Sequence, residues 1–357
     1  MIFSPHSPEP TGTRPLRIVL PGGSGQVGRM LARRFQQRGH HVTVLTRSPY
    51  SAPWQTIHWD AEHADSERSG SEQSSSWTEA LEGADVCINL TGRSINCRNT
   101  RANRQQIYES RIGATRLLHS VIASLANPPR LWMNASAATI YARALDEKEA
   151  DLPLDESSPI EADPEHGDLL GLGAPQPWTH ARGFTRRVVR DWEAAFFSVP
   201  TPRTRKIALR SAVTLSPVAG NVFAVLANLV RMSLGGTQGS GRQFFPWIHE
   251  TDYADAIEFL IAREDLDGPF NIASPSPLPN REFMAVLREA LNMPNGLPAP
   301  APFIYLGALL MGSNPELVLS SCRAVPGRLL AAGFQFSFPG WEEAAEDLAN
   351  QWRRRFD

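Results

Sequence analysis

A glycine-rich stretch at residues 16–28 is the part of the sequence whose residue types and spacing most clearly indicate chemistry. Gly22 can adopt a turn that other L-residues resist, Gly25 has no side chain to keep an anion away from the backbone, and Gly28 allows a following helix to pack closely. The unpaired N–H groups and the dipole at the start of that helix attract phosphate. We therefore predict a site for the pyrophosphate of a dinucleotide. Its predicted contacts are Gly22, Ser24, Gly25, Gln26 and Val27.

Arg47 follows a predicted second strand at residues 41–46 and indicates which dinucleotide is bound. In a dinucleotide-binding fold the end of this strand faces the adenosine ribose. An acidic side chain there accepts a hydrogen bond from the 2′-hydroxyl, whereas an arginine pairs with a 2′-phosphate. Arg47 therefore favours NADP(H) over NAD(H). The alternative is that Arg47 is an ordinary exposed loop arginine.

Two further strands and one helix are predicted to complete the cofactor site. The apolar run at residues 84–90 is typical of a central parallel strand, and a small residue and a glycine after it let a cofactor pass close to the backbone. A long helix at about residues 100–126 and a strand at residues 130–136 follow, next to the carboxyl edge of the sheet where ligands bind. The contacts predicted here are Leu90, Thr91, Gly92, Arg111, Ala135 and Ser136.

The predicted elements alternate between strands and helices up to about residue 210. This alternation requires an α/β fold of the Rossmann type, a doubly wound parallel sheet, with a smaller and mainly helical lid from the later part of the chain. The predicted divisions are a loose tail at 1–14, a dinucleotide-binding domain at 15–215 with surface insertions at about 61–76 and 163–178, and a lid at 216–357 whose segment 244–263 returns to the sheet.

Composition excludes several classes of protein. With 357 residues, 42% hydrophobic residues and a formal charge of −2, the chain is typical of a soluble globular protein and lacks the basic excess of a nucleic-acid-binding protein. The three cysteines are widely spaced and accompany no histidine cluster, so we expect reduced cytoplasmic thiols and no metal site. No apolar run is long enough to span a membrane. We expect a monomer or homodimer that binds a small molecule between the sheet edge and the lid.

Motifs spread in order across almost the whole chain resemble those of a known superfamily. They lie at residues 22–28, 89–92, 110–115, 135–137, 190–193, 215–217, 239–243, 246–249 and 329–334. The sequence resembles an extended short-chain dehydrogenase/reductase of the NAD(P)-dependent epimerase/dehydratase group. Within that group it is similar to the atypical, cell-division-inhibitor-like subgroup of SDR39U1-type epimerase family proteins. The resemblance implies a Rossmann fold, an NAD(P) cofactor and a C-terminal helical domain. The departures are the two insertions and Ala142, where the subgroup usually has glycine.

The catalytic relay of the wider superfamily is missing from this sequence. There a Tyr and a Lys four residues later act as acid and base, and a Ser or Thr holds the substrate oxygen. No Tyr in this chain is followed by Lys at that spacing. Alignment on residues 190–193 places Phe184 and Val188 at the Tyr and Lys positions, and Ala137 stands at the Ser/Thr position. All three expected members of the relay are therefore apolar.

Tyr141, with Ser136 nearby, is the leading substitute for proton transfer, because it ends the segment after a strand at the ligand-binding edge. His249 has the right chemistry for an acid or base and follows a glycine-rich loop. The alternative for Tyr141 is a half-buried packing residue, and for His249 a structural histidine. Further candidates are Glu156, Asp252 and, as a phosphate or carboxylate ligand in the glycine-rich loop, Arg242.

Two hypotheses from different classes follow. The first is an NADP-dependent oxidoreductase resembling a nucleoside-diphosphate-sugar epimerase, with its cleft between the sheet edge and the lid. Because the cofactor itself carries the hydride, weak redox chemistry does not require the usual Tyr/Lys pair. The second is a regulator or scaffold that binds the dinucleotide without rapid turnover, which the apolar relay positions favour.

Overall fold

The main sheet takes its strands from both halves of the chain. The computed structural model describes residues 14–61, 72–142, 151–160 and 181–355. Its strands are β1 (Arg17–Pro21), β2 (His41–Thr46), β3 (Gln55–His58), β4 (Val86–Asn89), β5 (Leu131–Ala137), β6 (Arg205–Ser211), β7 (Val213–Leu215), β8 (Phe244–Phe245), β9 (Trp247–His249), β10 (Gly268–Ile272) and β11 (Leu278–Pro279). Seven of them form a parallel sheet in the order β10-β6-β5-β4-β1-β2-β3.

The strand order reverses at β1, whose neighbours are β2 and β4. In an open parallel sheet, the crevice at the carboxyl ends of the strands next to such a reversal is where ligands bind. All four residues of β4 are buried, as expected for a central strand covered on both faces. The predicted doubly wound parallel sheet is confirmed.

Helices cover both faces of this sheet and form most of the lid. They are α1 (Gln26–Gln37), α2 (Glu72–Leu81), α3 (Arg101–Ser124), α4 (Ala181–Phe197), α5 (Val222–Arg231), α6 (Glu250–Ala262), α7 (Asn280–Ala290), α8 (Ala301–Met311), α9 (Glu316–Leu319), α10 (Gly327–Ala331) and α11 (Trp341–Arg353). A 3₁₀ turn at Ala138–Tyr141 continues β5. No helix in the described ranges has the length and apolar character needed to cross a membrane.

Strand β1 shows how the layers are built. Ile18 and Leu20 point to one face, where they join a core that contains Phe35 of α1 and residues of α6. Val19 points to the opposite face and joins a second core with Leu118 of α3 and Phe196 of α4. The alternation along a single strand therefore assigns helices to both sides of the sheet.

The lid has a separate core between α5, α7 and α11. Its centre is aromatic: the rings of Phe283 and Trp341 stack with centroids 4.1 Å apart and an interplanar angle of 11°, and Trp247 lies 5.1 Å from Trp341. The Trp341 indole N–H donates to the Phe283 carbonyl at 2.9 Å. This hydrogen bond fixes the orientation of the Trp341 ring, because a buried indole N–H without an acceptor would destabilise the fold.

Residues 244–263, predicted to return to the main sheet, contribute a helix to it and no strand. Residues 244–249 form β8 and β9, and β9 pairs with β7 in a separate two-stranded sheet. Helix α6 does pack on the main sheet, but the strand that joins it is β10, which pairs with β6 along its whole length. The chain therefore returns to the face of the main sheet at α6 and enters the sheet itself at β10.

Two smaller differences concern the predicted tail and insertions. Residues 72–76, assigned to the first insertion, form the first part of α2. Arg14, assigned to the loose tail, forms an ion pair with buried Asp85 at 2.5 Å. The second predicted insertion at 163–178 and residues 1–13 lie outside the described residues.

Candidate functional site

The glycine loop between β1 and α1 has the geometry that its sequence predicts. Gly22 has a φ of +72°, and a Cβ there would lie 2.7 Å from Thr91 Cα. At Gly28 a Cβ would lie 2.4 Å from Gly23 Cα, so α1 packs closely on the loop itself. Around Gly25 the space within 4 Å is open. Two glycines are therefore required by the fold, whereas Gly25 leaves room for a ligand.

The N-terminus of α1 opens toward this space. Gly25 is the N-cap residue, no side chain bonds to the cap, and the first turn contains no acidic residue. These N–H groups and the positive end of the dipole are therefore available to an anion. Beside the loop, Arg29 Nε donates to the Ser24 carbonyl at 2.8 Å, and its guanidinium lies 4.2 Å from the Tyr50 ring centroid.

Arg47 is exposed directly after β2, on the same sheet edge as the glycine loop. The connection is direct, because the Gly22 N–H donates to the Leu45 carbonyl at 2.9 Å. The position is the one in which a side chain at the end of the second strand reaches an adenosine ribose. The position of Arg47 is therefore compatible with its predicted contact, the 2′-phosphate of a bound nucleotide.

A cavity of about 390 Å³ lies at the carboxyl ends of the central strands, between the sheet, α3, α4 and the lid. Eight residues predicted to bind cofactor line it: Gln26, Val27, Leu90, Thr91, Gly92, Arg111, Ala135 and Ser136. Across the cavity mouth, Gln26 Nε2 donates to the Ala219 carbonyl at 3.3 Å, and Gln26 Oε1 accepts from Asn221 Nδ2 at 3.2 Å. The Gln26 side chain therefore ties the glycine loop to the lid.

Two buried hydroxyls in the cavity wall have no hydrogen-bond partner among the described residues: Thr91 Oγ1 and Thr139 Oγ1. A buried polar group without a partner is costly, and native proteins rarely tolerate one unless a ligand or water satisfies it. Their presence in one cavity supports a polar ligand there. The described residues contain no cluster of His, Cys, Asp or Glu side chains suited to a metal ion.

Arg111 also reaches the cavity, from the middle of α3. Its Nη1 donates to the Ile107 carbonyl at 3.0 Å, and its Cζ lies 5.3 Å from the Trp192 ring centroid. A Cβ added at Gly92 would lie 3.1 Å from the Arg111 Cζ, so the guanidinium packs closely over the backbone after β4. Burial lowers the pKa of Arg111 to about 10, which still leaves the guanidinium charged at neutral pH.

The wall formed by α4 occupies the place of the superfamily's relay. Phe184 and Val188, which the alignment places at the Tyr and Lys positions, both line the cavity. Ala137, at the Ser/Thr position, lines it from the end of β5. These positions thus face the cavity in this protein and carry no proton donor.

Tyr141 lies outside the cavity lining, in contrast to its predicted role. It is buried, and its hydroxyl accepts a hydrogen bond from Arg210 Nη1 at 2.5 Å. Burial raises the pKa of Tyr141 to about 12, and the Arg210 charge opposes this only in part. The phenol therefore stays protonated near neutral pH and bonds to Arg210, so the structure does not bring Tyr141 to the cavity.

Ser136 lines the cavity, but its hydroxyl already has a partner. It donates to Glu193 Oε1 at 2.5 Å, and Arg210 binds both oxygens of Glu193 at 2.9 and 2.7 Å. All three residues are buried. This network joins β5, α4 and β6 beneath the cavity. Because the Ser136 hydroxyl has a structural role in it, its place in the cavity lining does not by itself indicate catalysis.

His249 is a structural residue in this fold. It is fully buried, its ring stacks on Phe338 with centroids 4.0 Å apart, and its Nδ1 accepts from the Thr251 N–H at 3.1 Å. Since Nδ1 accepts, Nε2 carries the proton and donates to Asp347 Oδ2 at 3.2 Å. His249 thus caps α6 and ties it to α11, and the structure does not bring it to the cavity.

The three remaining candidates are also outside the cavity lining. Asp252 accepts the backbone N–H groups of residues 337 and 338. Glu156 accepts those of residues 271 and 328. Arg242 is exposed on its loop. The two carboxylates hold distant segments together, and the structure does not bring any of the three to the cavity.

Sequence reasoning missed a hydroxyl pair in the cavity, Tyr253 of α6 and Ser211 at the end of β6. Their oxygens are 3.2 Å apart, and both residues line the cavity. Ser211 stands beside Ala137 in the β5–β6 register. Burial raises the pKa of Tyr253, and the bond to Ser211 offsets part of that shift. In the sequence, Ser211 is marked only by its position at the end of a strand at the ligand-binding edge. Many residues without a functional role share that position.

The parallel sheet, the glycine loop at its reversal and the adjoining cavity define a dinucleotide-binding fold of the short-chain dehydrogenase/reductase superfamily. Residues 18–165 match the model of the NAD dependent epimerase/dehydratase family, and residues 299–348 match DUF1731, a domain of unknown function. Mouse (Mus musculus) epimerase family protein SDR39U1 is 31% identical over 341 residues, which cover 93% of this chain and 99% of the mouse protein. The chain belongs to the SDR39U1-type epimerase family.

Other relatives and solved structures agree with this assignment. An epimerase family protein of Staphylococcus aureus (strain N315) is 28% identical over 340 residues, 94% of this chain and 99% of that protein. The crystal structure of human SDR39U1 (isoform 2) with NADPH superposes with a TM-score of 0.75 at 29% identity, covering 94% of this chain and 99% of the human one. A nucleoside-diphosphate sugar epimerase from Corynebacterium glutamicum gives a TM-score of 0.66 at 25% identity, covering 94% of this chain and 59% of that one.

Proposed function

We propose that this protein binds NADP(H) along the carboxyl edge of the main sheet and uses it to reduce or oxidise a small molecule. The pyrophosphate lies at the α1 N-terminus over Gly25, and the 2′-phosphate pairs with Arg47. The nicotinamide end passes Gly92 into the cavity. The observation that carries this proposal is the open space at Gly25, next to two glycines that the fold itself requires. The NADPH in the human SDR39U1 structure supports it.

The residues present fit such a cofactor. The N–H groups of α1 are uncapped by side chains, and the hydroxyls of Thr91 and Thr139 lack partners among the described residues. The short residues Thr91 and Gly92 follow β4, where the backbone must come close to the ligand. The glycine loop, Arg47 and the ends of β4 and β5 would hold the dinucleotide.

When bound, a reduced nicotinamide supplies a hydride to a carbonyl carbon, or in its oxidised form accepts one. The chain itself must then supply a proton to the carbonyl oxygen and keep water away. In the described cavity wall, Tyr253 is the phenol placed for this step, with Ser211 bonded to it at 3.2 Å. Because burial raises the pKa of Tyr253, it acts as a protonated donor. Without a neighbouring lysine its donation is slow, so we expect low turnover.

A second candidate function is a regulator that binds NADP(H) without turnover. The observation that favours it is the apolar surface formed by Phe184, Val188 and Ala137 at the three relay positions. In that case the Gln26 contacts with Ala219 and Asn221 would transmit occupancy of the glycine loop to the lid. The two candidates share cofactor binding and differ in hydride transfer.

Cofactor choice is tested by Arg47→Glu. Losing a charge-assisted contact worth about 1.5–3 kcal/mol weakens NADPH binding roughly 10- to 100-fold and leaves NADH within about threefold. Affinities are measured by titrating nucleotide fluorescence. Arg33→Glu, an exposed arginine on α1, makes the same charge change and serves as the matched control. An unchanged NADPH-to-NADH ratio in Arg47→Glu would refute the 2′-phosphate contact.

Turnover separates the enzyme from the regulator. The protein saturated with NADPH is mixed with carbonyl compounds, quinones and sugar nucleotides, and the loss of NADPH absorbance is followed in a single turnover. Oxidation by at least one compound, faster than in solution without protein, supports the oxidoreductase. If none is reduced, the protein is assigned to the regulatory class.

A further inference from the structure

The charge of the cavity identifies the chemistry of its second ligand. Among the described residues that line it, Arg111 is the one side chain that is charged at neutral pH. In the part of the chain that the structure describes, no aspartate or glutamate lines the cavity beside it. A guanidinium has five N–H donors, and the structure gives Arg111 one bond, to a carbonyl of its own helix. The cavity therefore holds an uncompensated positive charge with donors to spare.

Such a charge is costly to bury, and an anion offsets the cost. Partly buried cations in proteins are normally paired, because neither water nor a neighbouring carboxylate otherwise replaces the lost hydration. The lowered pKa of Arg111 agrees with this, since burial is its first cause. Of the anionic groups on the proposed cofactor, the pyrophosphate already has the α1 N-terminus and the 2′-phosphate has Arg47. Arg111 is left for another anion.

Helix α4 contributes a mainly apolar surface next to Arg111. The Arg111 guanidinium lies over Trp192, and Phe184 and Val188 continue the same surface of α4. The side-chain amides in the lining, Gln26 and Asn221, bond to each other. A ligand with an apolar body and one acidic group would contact both this α4 surface and the Arg111 guanidinium.

We propose that Arg111 binds the carboxylate of the substrate, and that the substrate class is small oxo acids or hydroxy acids with an apolar body. This inference rests on the proposed function. In the reduction of a 2-oxo acid, the hydride from NADPH forms the C–H bond at C2. The carbonyl π bond breaks, and the oxygen takes a proton from Tyr253, giving a 2-hydroxy acid and NADP⁺. The charge on Arg111 holds the carboxylate of the substrate, and the apolar surface of α4 packs against the apolar body of the substrate.

The test uses the protein saturated with NADP⁺, which prevents turnover during the titration. Phenylpyruvate, 4-methyl-2-oxopentanoate and their uncharged methyl esters are titrated by calorimetry. We expect at least one acid to bind about 10-fold or more tightly than its ester. Arg111→Gln removes this preference, and Arg111→Lys retains part of it. Arg116→Gln, an exposed arginine on the same helix, retains it in full.

Three results would overturn the proposal. In the first, the wild-type protein binds neither acid more tightly than its ester. In the second, the preference for the acid survives in Arg111→Gln. In the third result, Arg111→Gln weakens NADP⁺ binding itself by the same factor, which assigns Arg111 to a cofactor phosphate. Failure of the proposed function looks different, because the wild-type protein then does not bind NADP⁺ in the first step. Thermal unfolding of each variant confirms that it is folded before titration.

Discussion

Replacing Gly25 with alanine separates nucleotide binding from folding. Gly25 has φ −70° and ψ 175°, which alanine adopts without strain, and nothing lies within 4 Å of the added methyl group. Alanine is a poorer N-cap than glycine, but it also restricts the unfolded chain, and these effects oppose each other. We therefore expect the free energy of unfolding to change by no more than about 0.5 kcal/mol.

The effect of Gly25→Ala on NADPH is expected to be much larger. The methyl group would enter the space that we assign to the pyrophosphate and push it away from the α1 N–H groups. Losing one charge-assisted hydrogen bond costs about 1.5–3 kcal/mol, which corresponds to roughly 10- to 100-fold weaker binding. The substitution should therefore shift the titration to roughly 10- to 100-fold higher NADPH concentrations, while leaving the fold intact.

Gly28→Ala is the matched control three residues away. Its added Cβ would lie 2.4 Å from Gly23 Cα and Gly23 O, and because these are backbone atoms they cannot turn aside. Overpacking of this kind costs about 1–3 kcal/mol. At about 2–4 °C per kcal/mol, the melting temperature should fall by several degrees. The two alanines are thus expected to act on different properties.

The assay pairs thermal unfolding without nucleotide with a fluorescence titration of NADPH for both variants and the wild type. Wild-type affinity in Gly25→Ala would refute the position of the pyrophosphate. Equal losses of melting temperature in the two variants would show that the space at Gly25 is not open. Either result would overturn the assignment of the pyrophosphate to the space at Gly25.

Two further predictions concern the cavity and the sheet. Tyr253→Phe keeps the ring but removes the hydroxyl, so single-turnover hydride transfer should fall about 100-fold or more while NADPH affinity stays within twofold; an unchanged rate would exclude Tyr253 as the donor. Burial raises the pKa of Asp85, but the Arg17 N–H and Arg14 lower it by more, so the net shift is downward. Its carboxylate therefore stabilises the fold above its unfolded pKa of about 3.9, and this is lost as pH falls through the lower folded pKa. Urea unfolding should show Asp85→Asn less stable than wild type at neutral pH, with the difference shrinking in acid; a constant difference would contradict this.

Local patterns predicted the elements whose causes are local. The roles of Gly22 and Gly28 follow from turn conformation and close packing within a few residues, and the structure shows both. Phe184 and Val188 were located from their spacing to a nearby motif, and both lie on the cavity wall. The fold class followed from the alternation of strands and helices, because each parallel strand pair needs a crossover.

Features whose decisive partner is far away in sequence could not be predicted from local patterns. Tyr141 meets Arg210, and His249 meets Asp347, so neither pairing is visible in the surrounding residues. Ser211 of a strand and Tyr253 of a helix form a pair although they are 42 residues apart in the sequence.

The position of β10 has a consequence for how the protein is made. Ile18 near the N-terminus shares a core with Ile272 of β10 and with Leu329 and Phe334, which a ribosome adds more than 300 residues into the chain. During synthesis the early strands and α1 must therefore wait with apolar surface uncovered, a state that attracts chaperones and favours aggregation. A gene fragment ending near residue 215 would lack the edge strand and α6, and we expect it to yield insoluble protein.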